Sequence, residues 1–560
     1  MVKRSGAAWF VALVPYAAIA AAAAPAAPVP PGAGSLLQQI QPVEPPPAPG
    51  DNPGLVIEPQ GGATLPPTAP FPVTSLQISG NTAFDTATLH ALIAGAEGKD
   101  LTLPELNGWV VRITDFYHAH GFPLARALIP AQTIRDGVVS VEVIEARYGK
   151  ILLENHSRVS DALFDGTLAP LKSGQVIGQT ALNHALLLLS DTPGAVPSAT
   201  VKPGEAAGTS DLLVQVTPGP AVTGNVTADN YGNRYTGRAR IGGEIALSDP
   251  LHHGDVLDAS VLSSGKDMEY GRVTYDFLLN GAGTHLGASY SALHYALGDS
   301  LASLEGHGTA DVASVWAKQP LVRSVNVDLY AQLQLDRKVL KDDIDVSAIH
   351  THRHLDNWTA NLAGDERDAM WSGGVTTWSL GLTSGRLGFD DAMAEIADAA
   401  TADTRGAFLQ GNATLARLQR MTAKDSLYLT VSWQWANANL DPSQKMVAGG
   451  PYTVRAYDMS ALSGDGGIQT SVEWRRDLAA WHGQWQAVAF VDTERLNINE
   501  NVWTAGTNTA TLNGAGLGLN WTGPNQWTAK ASVATRLGPV PDLGNASSST
   551  RAWLSIAKGF

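Results

Sequence analysis

The chain has 560 residues, a formal net charge of −15 and no cysteine. That length allows several domains, and the acidic balance argues against a nucleic-acid partner, which would need a basic face. Without cysteine there are no disulfide staples, thiolate metal sites or cysteine nucleophiles.

Met1-Val2-Lys3-Arg4 is a short basic start, Ala7 to Ala20 is apolar, and small residues continue through Ala24. This is the pattern of a secretory signal peptide, assigned to 1–24. No later segment approaches the ~20 consecutive apolar residues of a membrane-spanning helix. An exported chain of this kind is either soluble or an outer-membrane β-barrel.

Residues 25–72 are rich in Pro, Ala and Gly and read as an extended linker. Its one helical island, Ser35 to Ile40, is too short to be stable unless it docks. From Val73 the pattern is globular. Val73–Ser79 alternates as a strand, and Asp85 can cap a helix carrying Leu89, Leu92 and Ile93. Thr102 and Glu105 form a capping box. The helix it opens carries Leu106, Trp109, Val110, Ile113 and Tyr117 on one face and stops at Gly121. Strands follow at 124–129 and 138–145. The same β-α-α-β-β order then recurs: strand 149–154, helices 161–169 and 181–190, strands 199–202 and 211–217. The reading is two small α+β modules, 73–147 and 148–219, with a single mixed α+β domain as the alternative.

From about 220 to the C-terminus dyad alternation replaces helical periodicity. Val325, Val327, Leu329, Ala331, Leu333 and Leu335 alternate with Asn326, Asp328, Gln332, Gln334 and Asp336. Segments of about ten residues, apolar on one face and polar on the other, are the signature of a transmembrane β-barrel. About sixteen such segments fit 220–560, an even number as bacterial barrels require. The last strand ends on Phe560, an aromatic terminus similar to the targeting signal of outer-membrane barrels.

Two alternating runs, 427–435 and 469–475, are separated by more than thirty residues where a tight turn would suffice. A loop that long is usually functional. Its centre is GGPYTVRAYD at 449–458, with Val454, Arg455 and Tyr457 among small residues. In the later run 484–492, Trp485, Ala487, Ala489 and Val491 are wholly apolar and face lipid. Gln484, Gln486, Phe490 and Asp492 then face the lumen, since a carboxylate on the lipid face is costly. Asp492 in a narrow lumen calls for a cation, and Arg455 offers a two-pronged, charge-assisted contact. The competing reading leaves Arg455 solvated and Asp492 as pore lining.

This layout, with GGPYTVRAYD and the run DNYGNRYTG at 229–237, resembles the two-partner (type Vb) secretion transporters, the hemolysin and filamentous-hemagglutinin secretion/activation proteins. The resemblance covers essentially the whole mature chain. It implies two polypeptide-transport-associated (POTRA) modules in the periplasm and a sixteen-strand barrel in the outer membrane of a Gram-negative cell. It implies a protein-conducting pore that takes a secreted exoprotein through the POTRA modules, contacts outer-membrane lipid, and itself relies on the barrel-assembly machinery. It also implies that the loop, taken as 440–467, folds inward and that Arg455 pairs with Asp492 of FVDTE at 490–494. The family pattern is V-R-G-[YF] and F-x-D-x-G; here Ala456 and Glu494 stand in place of the glycines. The segment 36–40 is then a short counterpart of the family's plug helix. A barrel-assembly factor and a passive porin are the alternatives, the second disfavoured by residues 73–218.

Other chemistry is weak. Gly514, Gly516 and Gly518 lack the βαβ context of a dinucleotide loop and read as small barrel-wall residues. His350, His352 and His354 place three imidazoles on one side of an extended segment, read as a hydrated surface loop, with metal binding the alternative. No catalytic constellation, cofactor site or assigned metal site emerges, and the expectation is a transporter and not an enzyme.

Overall fold

The computed structural model describes residues 30–40, 55–57, 68–479, 481–539, 541 and 548–560. The signal-peptide assignment lies outside these residues, as does most of the linker.

The first module begins at Phe71 rather than Val73, because Phe71–Val73 pairs with Lys99–Leu101 and Val73 enters the core. Its helices are Thr86–Ile93 and Leu103–Ala119. Asp85 accepts the Thr88 N–H, and Thr102 with Glu105 makes the reciprocal capping box. Leu89, Ile93, Leu106, Val110, Ile113 and Tyr117 pack on Val139, Val141 and Val143 of the central strand. That strand, Val138–Ile144, lies between Ser75–Ser79, parallel to it, and Arg126–Leu128, antiparallel.

The second module repeats this order. Thr209–Pro218 is parallel to Arg147–Asn155 and antiparallel to Ala195–Pro203, with helices Asp161–Leu168 and Gln179–Ser190 on one face. One strand was not foreseen. Leu55–Ile57, from the proline-rich linker, pairs in parallel with Ala199–Val201 and extends the sheet at its open edge. Glu145 ties the end of the first module back to its own start. Its buried carboxylate accepts the Thr82 and Ala83 N–H groups and the Tyr117 hydroxyl, each at 2.7 Å, and the Thr82 hydroxyl.

Sixteen antiparallel strands then close into a barrel, from Val222–Asp229 to Thr550–Gly559, which pair with each other. The Phe560 N–H donates to the Gly224 carbonyl at 3.0 Å, fastening the C-terminus to the first strand. The alternation sorts the faces as expected: Val491 is 51% exposed on the outer wall while its neighbour Asp492 is fully buried inside. The second module sits against the turns at 249–255, 279–284 and 324–326. Arg323 bridges Asp191 (2.6 Å) and Asp328 (2.9 Å), and Gly166 and Gly281 meet backbone to backbone. These turns mark the periplasmic end, so loops such as 437–465 leave from the cell-surface end.

Candidate functional site

Strands Asp425–Ala436 and Gly466–Asp477 pair directly, yet residues 437–465 intervene and turn back into the lumen. A short hairpin, Met446–Ala448 with Leu462–Gly464, forms the stalk of this loop. Gly449 and Gly450 have φ of +94° and +116°, and a Cβ on Gly449 would lie 2.4 Å from the Asp458 carbonyl. Only glycine fits that turn.

At the tip, Arg455 spans two barrel strands. Its Nη2 and Nε donate to the two Asp492 oxygens at 2.6 and 2.9 Å, and its main-chain N–H donates to Asp492 at 3.1 Å. Nη1 reaches Glu473 at 2.6 Å and Nη2 also reaches Ser471 at 3.0 Å. The guanidinium lies over the Phe490 ring, 3.3 Å from its centroid, a cation–π contact in a desolvated setting. Val454 and Tyr457 are buried beside Phe490, Leu496 and Leu512. Thus Val454, Arg455, Tyr457, Phe490 and Asp492 share one cluster. Phe560 is remote from it, at the periplasmic seam, with its ring over Gly224.

Sequence reasoning did not single out Ser471 and Glu473, although they occupy the polar face of the alternating run 469–475. It also missed the barrel seam. Trp553 Nε1 donates to the Arg455 carbonyl at 2.7 Å, and Asp458 pairs with Arg551 and, at 3.2 Å, with Arg238. The tip therefore touches both the last strand and the hairpin after the first.

The two departures from the family pattern fare differently. Ala456 has no positive φ, and its methyl occupies the space above Gly514, where a Cβ would approach it to 2.6 Å. Glu494 is fully buried, and neither carboxylate oxygen has a hydrogen-bond partner among the described residues.

The second occupant of the lumen is a helix, Ala33–Ile40. Leu36 and Leu37 pack in a cluster with Leu293, Leu340, Leu355 and Phe408 on the inner wall and Leu440 of the inward loop. The Ala33 N–H donates to Asp342 at 2.6 Å, and Gln38 donates to the Ser443 carbonyl. Arg353 holds the other Asp342 oxygen at 2.7 Å and also pairs with Asp441 of the loop. One buried cation thus links wall, helix anchor and loop.

A barrel with a loop and a helix inside it and α+β modules at its periplasmic end can now be placed among known proteins. The family of haemolysin secretion/activation proteins ShlB/FhaC/HecB matches residues 208–521, and the ShlB-type POTRA domain matches residues 71–146. The chain belongs to this family. It is an outer-membrane transporter of two-partner secretion, with its POTRA modules in the periplasm. The heme/hemopexin transporter protein HuxB of Haemophilus influenzae is 25% identical over 504 residues, covering 88% of this chain and 87% of that protein. The outer membrane transporter CdiB of Escherichia coli is 24% identical over 494 residues, covering 83% and 82%. The solved structure of CdiB from Escherichia coli superposes with a TM-score of 0.68 at 20% identity, over 90% of this chain and 92% of that one, which shows the shared fold.

Proposed function

We propose that the POTRA modules capture the exoprotein as an extended chain and that helix 33–40 and loop 437–465 together close the resting pore. The observation that carries this reading is the shared anchoring of helix and loop inside the barrel, through Asp342, Arg353, Asp441 and Ser443. A polypeptide crossing this lumen has to displace them. The capture step is supported by the linker strand Leu55–Ile57, which shows that the edge of the second module's sheet accepts a parallel strand. Main-chain pairing gives affinity there, and pockets for alternate side chains give specificity. Residues 41–54 connect that strand to the luminal helix, so an incoming strand that replaces Leu55–Ile57 would also loosen the helix's tether. Arg455 sets the loop's closed position, and Phe560 closes the barrel and marks the chain for the barrel-assembly machinery. Movement needs no catalysis by this chain; folding of the cargo outside biases it outward.

The test is secretion of the partner exoprotein into the medium by the intact chain, by Arg455→Ala and by a chain lacking 73–218. Both variants are first shown to reach the outer membrane as heat-modifiable barrels. Secretion lost without the modules and reduced by Arg455→Ala supports the reading. Exoprotein outside the cell regardless of either change refutes it and directs attention to insertion of other barrels.

A further inference from the structure

The barrel wall is uneven in height. The first strand has 8 residues, whereas Val327–Ile344 has 18 and Ile349–Asp368 has 20. At ~3.4 Å per residue and a tilt near 40°, 20 residues rise roughly 50 Å, about twice the ~25 Å apolar band of such barrels. On this tall side the outward residues Val327, Leu329, Ala331, Leu333 and Leu335 end at Arg337, which pairs with Asp356 at 3.1 Å next to the exposed Trp358. The hydrocarbon boundary therefore falls there. Everything nearer the tip of this hairpin stands in water.

His350, His352 and His354 lie in this projecting part, in strand Ile349–Asp368 and not in a surface loop. Their side is fixed by their neighbours. Asp342 and Arg353 point inward to the luminal helix and the loop, so Asp343, His350, His352 and His354 point outward. Asp343 is the register partner of His350 on one side and of His307 on the other. One Asp343 oxygen, Oδ1, lies 2.6 Å from His350 Nδ1 and 2.9 Å from His352 Nε2, and donor atoms of these three side chains lie within 4.8 Å of one another. Two imidazole nitrogens and a carboxylate oxygen converge on one point, on two adjacent strands held rigid by an unbroken ladder.

We propose that Asp343, His350 and His352 form a cell-surface binding site for a divalent transition cation, with Zn²⁺ as the ion whose preferences they fit. Imidazole and carboxylate suit a borderline cation, whereas Ca²⁺ and Mg²⁺ take oxygen ligands. Tetrahedral Zn²⁺ with ligands at ~2.0–2.2 Å places donors roughly 3.3 Å apart. The two contacts to Asp343, 2.6 and 2.9 Å, open by about 0.7 and 0.4 Å to admit it. Two histidines and one carboxylate leave the fourth position open to solvent, the arrangement of an exchangeable site rather than a closed structural one. The bound ion would join the tips of two strands about 15 Å beyond the Arg337–Asp356 pair, by the same rise and tilt.

The test uses the full-length, heat-modifiable barrel in detergent, with Zn²⁺ titrated against a chromophoric chelator. The intact chain is expected to bind one Zn²⁺ that millimolar Ca²⁺ does not displace. His350→Ala with His352→Ala should abolish that equivalent, and Asp343→Asn should weaken it by about tenfold or more. His285→Ala, which removes a single imidazole paired with Asp276 at the periplasmic end, should leave it unchanged. Absence of Zn²⁺ binding tighter than about 100 µM, or binding retained by the His350/His352 double variant, overturns the proposal.

Discussion

Replacing Arg455 by alanine is the sharpest test of how the inward loop is held. The side chain leaves behind Asp492, fully buried, and Glu473, whose side chain is 13% exposed. Glu473 keeps Arg475 at 2.7 Å, and Asp492 keeps the Ser471 hydroxyl at 2.7 Å and the loop N–H at 3.1 Å. Breaking a buried ion pair costs about 3–5 kcal/mol because a charge is left uncompensated. These surviving partners put the expected cost at the lower end, about 3 kcal/mol. Amide hydrogen exchange at 449–465 in the folded barrel reads this locally, since the loop opens without global unfolding. At 1.4 kcal/mol per tenfold, exchange there should quicken roughly hundredfold, with the barrel strands unaffected. Arg455→Lys keeps the charge but loses the planar fork and the stacking on Phe490, and should fall between the two. In the double variant Arg455→Ala with Asp492→Ala, the summed single effects should exceed the combined one by about 2 kcal/mol. Exchange at 449–465 within about threefold of the intact chain, or strictly additive single effects, would refute the argument that this pair fixes the loop.

Four further outcomes are expected. Asp342→Ala removes the acceptor of the Ala33 N–H and one partner of Arg353, so the luminal helix should leave more often; planar-bilayer recordings should show open events at least about tenfold more frequent. Glu145 is pushed upward by burial, but the donors from Ala83, Thr82 and Tyr117 outweigh this and leave its pKa below the ordinary carboxylate value. A depressed folded pKa contributes stability above the unfolded value of ~4.3, and that contribution is lost as pH falls through the lower folded value. Exchange protection of 71–146 in the full chain should therefore drop in acid, and Glu145→Gln should lower it at neutral pH by on the order of 2 kcal/mol and flatten the acid dependence. Gly281→Val places a Cβ 2.2 Å from the Gly166 backbone, so spin labels on the second module and the barrel should read a changed distance and secretion should fall. Glu494→Gln replaces a buried carboxyl group that has no hydrogen-bonding partner among the described residues, so barrel melting should be unchanged or raised; a clear drop would show that the carboxyl group is used.

How far the fold could be read from the chain depended on which signals are local. Capping residues act within one turn, so Asp85 and the Thr102–Glu105 box marked the starts of their helices to the residue. Strand alternation has a period of two, so it assigned Val491 to lipid and Asp492 to the lumen without knowing any neighbour. The same alternation does not distinguish a wet lumen from one filled with protein, because polar inward residues suit either. Nothing in the local pattern sets Asp342 and Arg353 apart from other inward polar residues, and only the fold brings residue 33 to within hydrogen-bonding distance of residue 342. The strand Leu55–Ile57 was hidden for a related reason: three residues carry too little periodicity, and their stability comes from the edge they pair with. The departures at 456 and 494 make the same point. A glycine missing from a motif need not be a missing function where a neighbour leaves room for the added side chain, and Gly514 leaves beneath Ala456 the space that its methyl needs. Glu494 differs: it is buried with neither oxygen hydrogen-bonded among the described residues, two residues along the strand from the carboxylate that holds the loop.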